Sequence, residues 1–315
     1  MSSFGGSMKK NILGKTGLEV SRLGIGLSEI GFNFTSNDFS TAEKVLNVAL
    51  DEGINFLDTA ACYGISEETI GKAVAHRRND YVLATKAGHY LPRGEGEDWT
   101  YELITKSIER SLLRLKTDYL DLVQLHSCDT SVLEKGEVIR SLLDAKAAGK
   151  VRFIGYSGDN ENAVWAVTSG LFDTLQTSFS IVDQSARVSI LPEVVNRGIG
   201  LIIKRPVGNG VWGRGSDPRP YEHIPDYTKE YFKRAQLMIE ASDKKIQTGG
   251  NGVELALGFT LSHKVVNVAI VGSQRPDHVV SNAKFMTEFI EGQTEDLELI
   301  YGIWDQVNRD WKQLG

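Results

Sequence analysis

Two cysteines, Cys62 and Cys128, are all that the 315-residue chain carries, and they form neither a disulfide framework nor a metal-ligand spacing. Both read as packing residues, and no metal is expected. Long apolar runs are missing as well: none approaches the ~18 residues that span a bilayer, so no membrane association is expected. Nor is there a basic excess, since 35 Lys and Arg stand against 41 Asp and Glu for a net charge of −6. That balance argues against a nucleic-acid partner, which wants a clustered basic face. Met1 to Met8, rich in Ser and Gly, lacks the apolar core of a signal peptide. Residues 1–10 are expected to be a flexible lead, with Met8 an alternative start, and the protein to be soluble and cytoplasmic. No GxGxxG follows a strand, so a Rossmann dinucleotide site is not supported.

What is present is an alternation. Hydrophobic residues make up 41% of the chain, enough for a substantial core. Asn11 to Ser21 reads as two short strands around a Gly-bearing turn, a hairpin suited to plug one end of a barrel. Strand candidates follow at 22–27, 54–57, 81–86, 120–125, 151–157, 174–179, 200–204 and 266–271. Helical periods fall between them: 41–50, a stretch opening at Glu67, 101–115, 134–148, 161–169, 190–197, 229–243 and, after the last strand, 277–285. The stretch 253–261 precedes that last strand and is left unassigned. Strand-helix alternation implies a parallel sheet with right-handed crossovers, and eight repeats close most simply as a (β/α)₈ TIM barrel. No linker interrupts the series, so residues 11–315 are expected to form one domain of α/β class. Asp296 to Trp311 adds an extra C-terminal helix.

Barrel closure brings the carboxyl ends of different strands to one mouth. The first strongly polar residues at those ends are Asp58, Lys86 and His126, and Tyr63 lies five residues past the first. Taken singly, Asp58 reads as a helix cap, Lys86 as a rim cation, His126 as a hydrogen-bonded rim histidine and Tyr63 as a rim aromatic. Their convergence favours chemistry. A free phenol titrates near 10, too high for efficient proton exchange at neutral pH. An adjacent ammonium is expected to lower that value, an imidazole to assist, and Asp58 to hold Lys86 charged.

Two late runs suit an anionic cofactor. Lys204-Arg205-Pro206-Val207-Gly208-Asn209-Gly210 sets glycines where backbone can lie over a pyrophosphate. Gly272-Ser273-Gln274-Arg275 ends a strand and opens a helix, whose N-terminus favours phosphate, and Arg275 is the natural partner for an additional one.

These residues resemble the aldo-keto reductase family, NADPH-dependent and of bacterial type, from about Leu13 to Asn282. The motifs are Leu13-Gly14-Lys15-Thr16-Gly17-Leu18-Glu19-Val20-Ser21, Asp58-Thr59-Ala60-x-x-Tyr63-Gly64, Thr85-Lys86, Tyr119-Leu120-Asp121-Leu122-x-x-x-His126 and Gly149-Lys150-Val151-Arg152-x-Ile154-Gly155-x-Ser157. The resemblance implies a barrel that binds extended NADP(H) and reduces a small-molecule carbonyl, with Tyr63 as proton donor and Asp58, Lys86 and His126 completing a tetrad. It implies that Ser157 and Gln176 face the nicotinamide carboxamide, and that Lys204, Arg205, Pro206, Gly208 and Gly210 run along the nicotinamide and pyrophosphate. Gly272, Ser273 and Arg275 should hold the 2′-phosphate, Asn282 the adenine, and Gly24 and Gly26 the first strand near the cofactor. There are departures: Gly158-Asp159 where Asn is common, Lys204 where an aromatic stacks, Phe179 for Tyr, and Gln274 and His278 for residues often basic and Gln. Two rival readings remain at this point. One is a cofactor-sensing regulatory barrel with negligible turnover, the other a Schiff-base lyase using Lys86. For substrate contacts the loops offer Ser28, Glu29, Ile30, Phe32, His89, Tyr90, Asp129 and Trp212, together with the C-terminal segment.

Overall fold

Short apolar strands whose two faces both need covering can be buried only in a sheet wrapped by helices. The computed structural model, which describes residues 8–89, 96–213, 226–246, 251–289 and 297–314, resolves this as a closed parallel barrel of eight strands preceded by a two-stranded antiparallel hairpin. Residues 1–7 of the expected lead, Tyr90, residues 214–220 and Asp296 lie outside the described residues. The hairpin pairs β1 (Lys10–Ile12) with β2 (Glu19–Ser21). The barrel strands are β3 (Leu23–Gly26), β4 (Phe56–Asp58), β5 (Val82–Ala87), β6 (Leu120–His126), β7 (Val151–Ser157), β8 (Thr174–Ser178), β9 (Gly200–Lys204) and β10 (Val268–Gly272). They neighbour one another in chain order, and β10 returns to pair with β3.

The helices are α1 (Ser28–Asn33), α2 (Phe39–Asp51), α3 (Ser66–Ala73), α4 (Tyr101–Leu115), α5 (Thr130–Lys135), α6 (Glu137–Ala147), α7 (Asn160–Ser169), α8 (Ala186–Ser189), α9 (Leu191–Arg197), α10 (Asp226–Ala241), α11 (Gly252–Leu261), α12 (Pro276–Glu288) and α13 (Leu297–Val307). The longer ones follow from their sequences. In α4, Leu103, Ile104, Ile108 and Leu115 make one buried face, and Thr100 caps its start by accepting from the Leu103 N–H at 3.2 Å. The helix expected over 134–148 is instead two. Gly136 adopts φ 76, a left-handed conformation that glycine reaches without strain, and it separates α5 from α6. The ambiguous stretch 253–261 belongs to α11, which is too apolar all round to show a period.

Alternation along each strand sorts its side chains to inside or outside. Inside, Phe56, Val82, Ala84, Leu122, Ile202, Val268 and Ile270 form a compact apolar cluster. Gly24 leaves room for it, since a Cβ there would lie 2.9 Å from both Ile270 and Val268. The outward residues pack under the helices in the larger core. Two residues beyond the last inner apolar position of four strands the same face reaches the carboxyl end: Asp58 after Phe56, Lys86 after Ala84, Lys204 after Ile202 and Gly272 after Ile270. The barrel is thus dry at its amino end and polar at its mouth.

The hairpin closes the dry end. Leu13, Leu18 and Val20 join the inner cluster. Asn55 Nδ2 donates to Glu19 O at 2.9 Å and Asn267 Nδ2 to Ile12 O at 3.0 Å, tying the plug to the starts of β4 and β10. Gly14 sits at φ +51, where a Cβ would fall 2.2 Å from Gly200 N. Gly17, at φ +71, faces open space. Gly14→Ala should therefore cost roughly 3 kcal/mol of stability, combining left-handed strain with a backbone clash, against about 1 kcal/mol for Gly17→Ala. Urea unfolding of the two variants checks the difference; equal losses would show that the plug does not bear on β9.

Candidate active site

The loop after β4 is built to present a phenol. Tyr63 N–H donates to Ala60 O at 3.0 Å and Ser66 N–H to Tyr63 O at 2.9 Å, a tight turn leading into α3. Against it lies the backbone of α1. A Cβ on Gly31 would sit 2.1 Å from Tyr63 O, and one on Gly64, at φ +45, 2.2 Å from Gly31 O. Two glycines therefore let two backbones touch, and Tyr63 is clamped.

Beneath the phenol, Lys86 Nζ donates to Asp58 Oδ2 at 2.6 Å and to Thr59 O at 2.9 Å, and both side chains are almost wholly buried. The same ammonium lies 5.0 Å from the centroid of the Tyr63 ring. The His126 ring stands edge-on to Tyr63 at 5.7 Å and, on another side, 5.1 Å from His89. His89 Nδ1 lies 3.1 Å from Asp98 Oδ2, and Trp99 Nε1 donates to His126 O at 3.2 Å. The three groups anticipated at separate strand ends and the phenol past the first are thus brought together.

Ser157 and Gln176 join the same network. Ser157 Oγ is 2.9 Å from Gln176 Oε1, and Gln176 Nε2 donates to Asp58 Oδ1 at 2.7 Å. Each carboxylate oxygen of Asp58 is therefore engaged, one by the lysine and one by the glutamine. This link between the tetrad and the two residues expected at the carboxamide has no signature in sequence spacing.

One electrostatic expectation is corrected. Burial drives the Tyr63 phenol above its ordinary value; Lys86 opposes this, and Asp58 adds to it. A phenolate in a desolvated site is costly, and an ammonium already matched by a carboxylate cannot fully compensate. For Lys86, burial works against the charge, but Asp58 and Tyr63 outweigh it and its pKa is raised. The resting site holds an ammonium under a protonated phenol.

The cofactor candidates occupy the other half of the mouth. Lys204 Nζ lies 2.9 Å from Asp159 Oδ2, and Arg205 Nη1 4.0 Å from the same atom. Burial disfavours the Asp159 charge, yet Lys204 and Arg205 hold the carboxyl below its usual range. Burial also lowers Lys204, against Asp159. Arg205, at φ 59, and Pro206 lead to Gly208 and Gly210, at φ 55 and 83, so this loop has the left-handed turns its glycines allow. Gly26 pairs with Gly272, and a Cβ on Gly26 would come no closer than 3.7 Å to that neighbour. Ser273 and Asn282 line one small cavity with Gly24, Ile25 and Val271. Arg275 is exposed and forked onto Asp277, Nε to Oδ1 at 3.1 Å and Nη2 to Oδ2 at 2.5 Å. Trp212, expected at the pocket, is fully buried, as is Phe179.

The C-terminal segment, expected only as a pocket lining, is bonded across the strand ends. Asn160 N–H donates to Gln313 Oε1 at 2.6 Å, Gln313 Nε2 donates to Thr177 Oγ1 at 2.9 Å, and Arg205 donates to Leu314 O. The tail is strapped over the ends of β7, β8 and β9. A linear segment carries no period that could reveal this.

The fold and this mouth define a barrel oxidoreductase: the model described as Aldo/keto reductase family matches residues 22–305, and the chain belongs to that family. Among relatives, it is 33% identical over 288 residues to L-galactose dehydrogenase of Arabidopsis thaliana, covering 88% of this chain and 87% of that protein. It is 28% identical over 303 residues to a probable voltage-gated potassium channel subunit beta of the same plant, covering 88% and 90%. The holo form of an aldo-keto reductase from Bacillus halodurans superposes with a TM-score of 0.79 at 28% identity, covering 94% of this chain and 96% of that one.

Beneath the tail lies Asp183, whose Oδ2 accepts from Tyr231 Oη at 3.0 Å and Leu314 N at 3.3 Å. Burial and the Asp159 charge push this carboxyl up from 3.8 to about 7, against the pull of Arg234 and its two hydrogen bonds. A folded-state value above the unfolded one means that the protonated form favours folding. The contribution is complete below the ordinary carboxyl value and is lost as pH rises toward 7. Asp183→Asn should remove this slope, gaining on the wild type by on the order of 3 kcal/mol between pH 4 and pH 8. Urea unfolding across that range is the check, and a constant difference would exclude a buried proton there.

Proposed function

We propose that the protein catalyses reversible hydride transfer between NADPH and an aldehyde or ketone, with Tyr63 as general acid. The observation that carries this reading is the convergence of Tyr63, Lys86, Asp58 and His126 at one mouth, coupled through Gln176 to Ser157. The residues at the end of β10 and the start of α12 fit a dinucleotide phosphate. The N-terminus of the 13-residue α12 carries Ser273 and Arg275 just ahead of it, a donor set suited to an anion. The Arg275–Asp277 pair is exposed on both sides, so it is weakly held and open to exchange for a phosphate.

When bound, the reduced nicotinamide supplies the hydride. As charge builds on the carbonyl oxygen, Tyr63 gives it a proton and His126 donates a hydrogen bond. Lys86 remains charged below the ring and stabilises the phenolate left behind; Asp58 holds the lysine in place. Ser157 and Gln176 offer an amide-sized ligand polar contacts, and Lys204 to Gly210 a backbone track. The raised phenol keeps its proton until charge develops, which is what an acid of this kind must do.

Similarity to L-galactose dehydrogenase favours a sugar or another hydroxylated carbonyl among the candidates, and a cytoplasmic setting suits the cofactor. A second reading, a cofactor-sensing barrel, draws on the similarity to a channel β-subunit. The assembled acid weighs against it, and NADPH oxidation across a panel of aldehydes and sugars separates the two. A Schiff-base lyase is disfavoured because Lys86 is kept as a doubly hydrogen-bonded ammonium.

Tyr63→Phe should lower kcat by roughly 10²-fold or more while cofactor binding is unchanged. A variant that keeps most of its rate would remove Tyr63 from the acid role. Arg275→Ala should weaken NADPH about tenfold more than NADH, and equal losses would remove the phosphate from this site.

A further inference from the structure

Cys62, the residue before Tyr63, is only 9% exposed, and its Sγ lies 3.4 Å from His126 Nδ1. The thiol has little freedom to leave. Ala61 N–H donates to Lys86 O at 3.0 Å and Tyr63 N–H to Ala60 O at 3.0 Å, so the backbone on both sides of Cys62 is pinned to β5 and to its own turn. The imidazole is equally held, by the rings of Tyr63 and His89 at 5.7 and 5.1 Å and by the Trp99 bond to its carbonyl. Ionisable groups about the pair include Tyr63, His89 with Asp98, Lys86 with Asp58 below the phenol, and Arg114, which donates to Ala61 O at 3.4 Å.

A neutral imidazole bears one hydrogen, and the bond made by one nitrogen decides which of the two carries it. Sulfur is a poor acceptor, while an S–H can donate to an aromatic nitrogen. A lone pair on Nε2 would repel an oxygen gaining negative charge, whereas an N–H there would attract it.

We propose that Cys62 is a positioning residue: its thiol donates to His126 Nδ1 and keeps the ring hydrogen on Nε2, ready for the carbonyl oxygen. The inference rests on the reductase reading for its catalytic meaning but not for the hydrogen bond itself. No covalent step is involved, and the thiol proton stays on sulfur throughout.

The test is ¹⁵N spectroscopy of histidine-labelled protein without cofactor. There are six histidines, and the His126 signals are assigned by their loss in His126→Gln. The wild type should show His126 protonated at Nε2 and bare at Nδ1. Cys62→Ala should populate the other tautomer and lose about tenfold in kcat, with cofactor affinity unchanged. Cys62→Ser, which keeps a donor at the same place, should restore both. A wild-type ring protonated at Nδ1, an unchanged tautomer in Cys62→Ala, or a folded serine variant without rescue would each overturn the proposal. Should the wild type reduce no carbonyl at all, the reductase reading falls, and the wild-type spectrum still decides for or against the thiol donor.

Discussion

A lysine ammonium and an aspartate carboxylate, each 2% exposed and 2.6 Å apart, set the terms for the rest of the mouth. Desolvating two charges can cost more than their attraction returns, so such a pair persists only when its remaining hydrogen-bonding capacity is met. Here Thr59 O takes another lysine proton, Gln176 fills the free carboxylate oxygen, and Ser157 steadies Gln176. One polar chain therefore crosses from β5 to β4 and on to β8 and β7. Moving either charged group strands the other, and moving a neutral one leaves a buried polar atom unpaired, which fixes the geometry offered to a ligand above.

A second buried pair answers the first across the mouth. Asp159 and Lys204 are two of the positions where this chain departs from the family pattern, and the structure joins them at 2.9 Å. Each buried charge is met by the other, and Arg205 lies 4.0 Å from the same carboxylate oxygen. Asp159 also accepts from Ser178 N–H at 2.8 Å and Thr177 Oγ1 at 3.0 Å, which places it under the C-terminal strap. Where the resemblance implies an aromatic, this chain sets an ion pair integrated with the tail.

Much of this was legible beforehand. The eight strands could be read because each is a short apolar run, and the mouth because Asp58, Lys86 and His126 are polar residues closing such runs. What escaped was set by three-dimensional circumstance. The break at Gly136 looks like a tolerated helix glycine until its backbone is seen to be left-handed. The Gln176–Asp58 bond joins residues 118 apart, and nothing local announces it. The direction of the Tyr63 shift depended on how completely the phenol and its lysine are desolvated, which proximity alone does not reveal.

The strap joins Asn160 to Gln313 across 153 residues, and β10 must find β3 before the sheet can close. Contacts so distant along the chain are slow to form and reward folding only when nearly everything else is placed. During synthesis on the ribosome, α/β units can gather early as partial sheets with raw edges, the condition in which chaperones are needed. The mouth is consequently among the last features the chain acquires on folding, since its polar residues come from strands that meet only when the sheet closes.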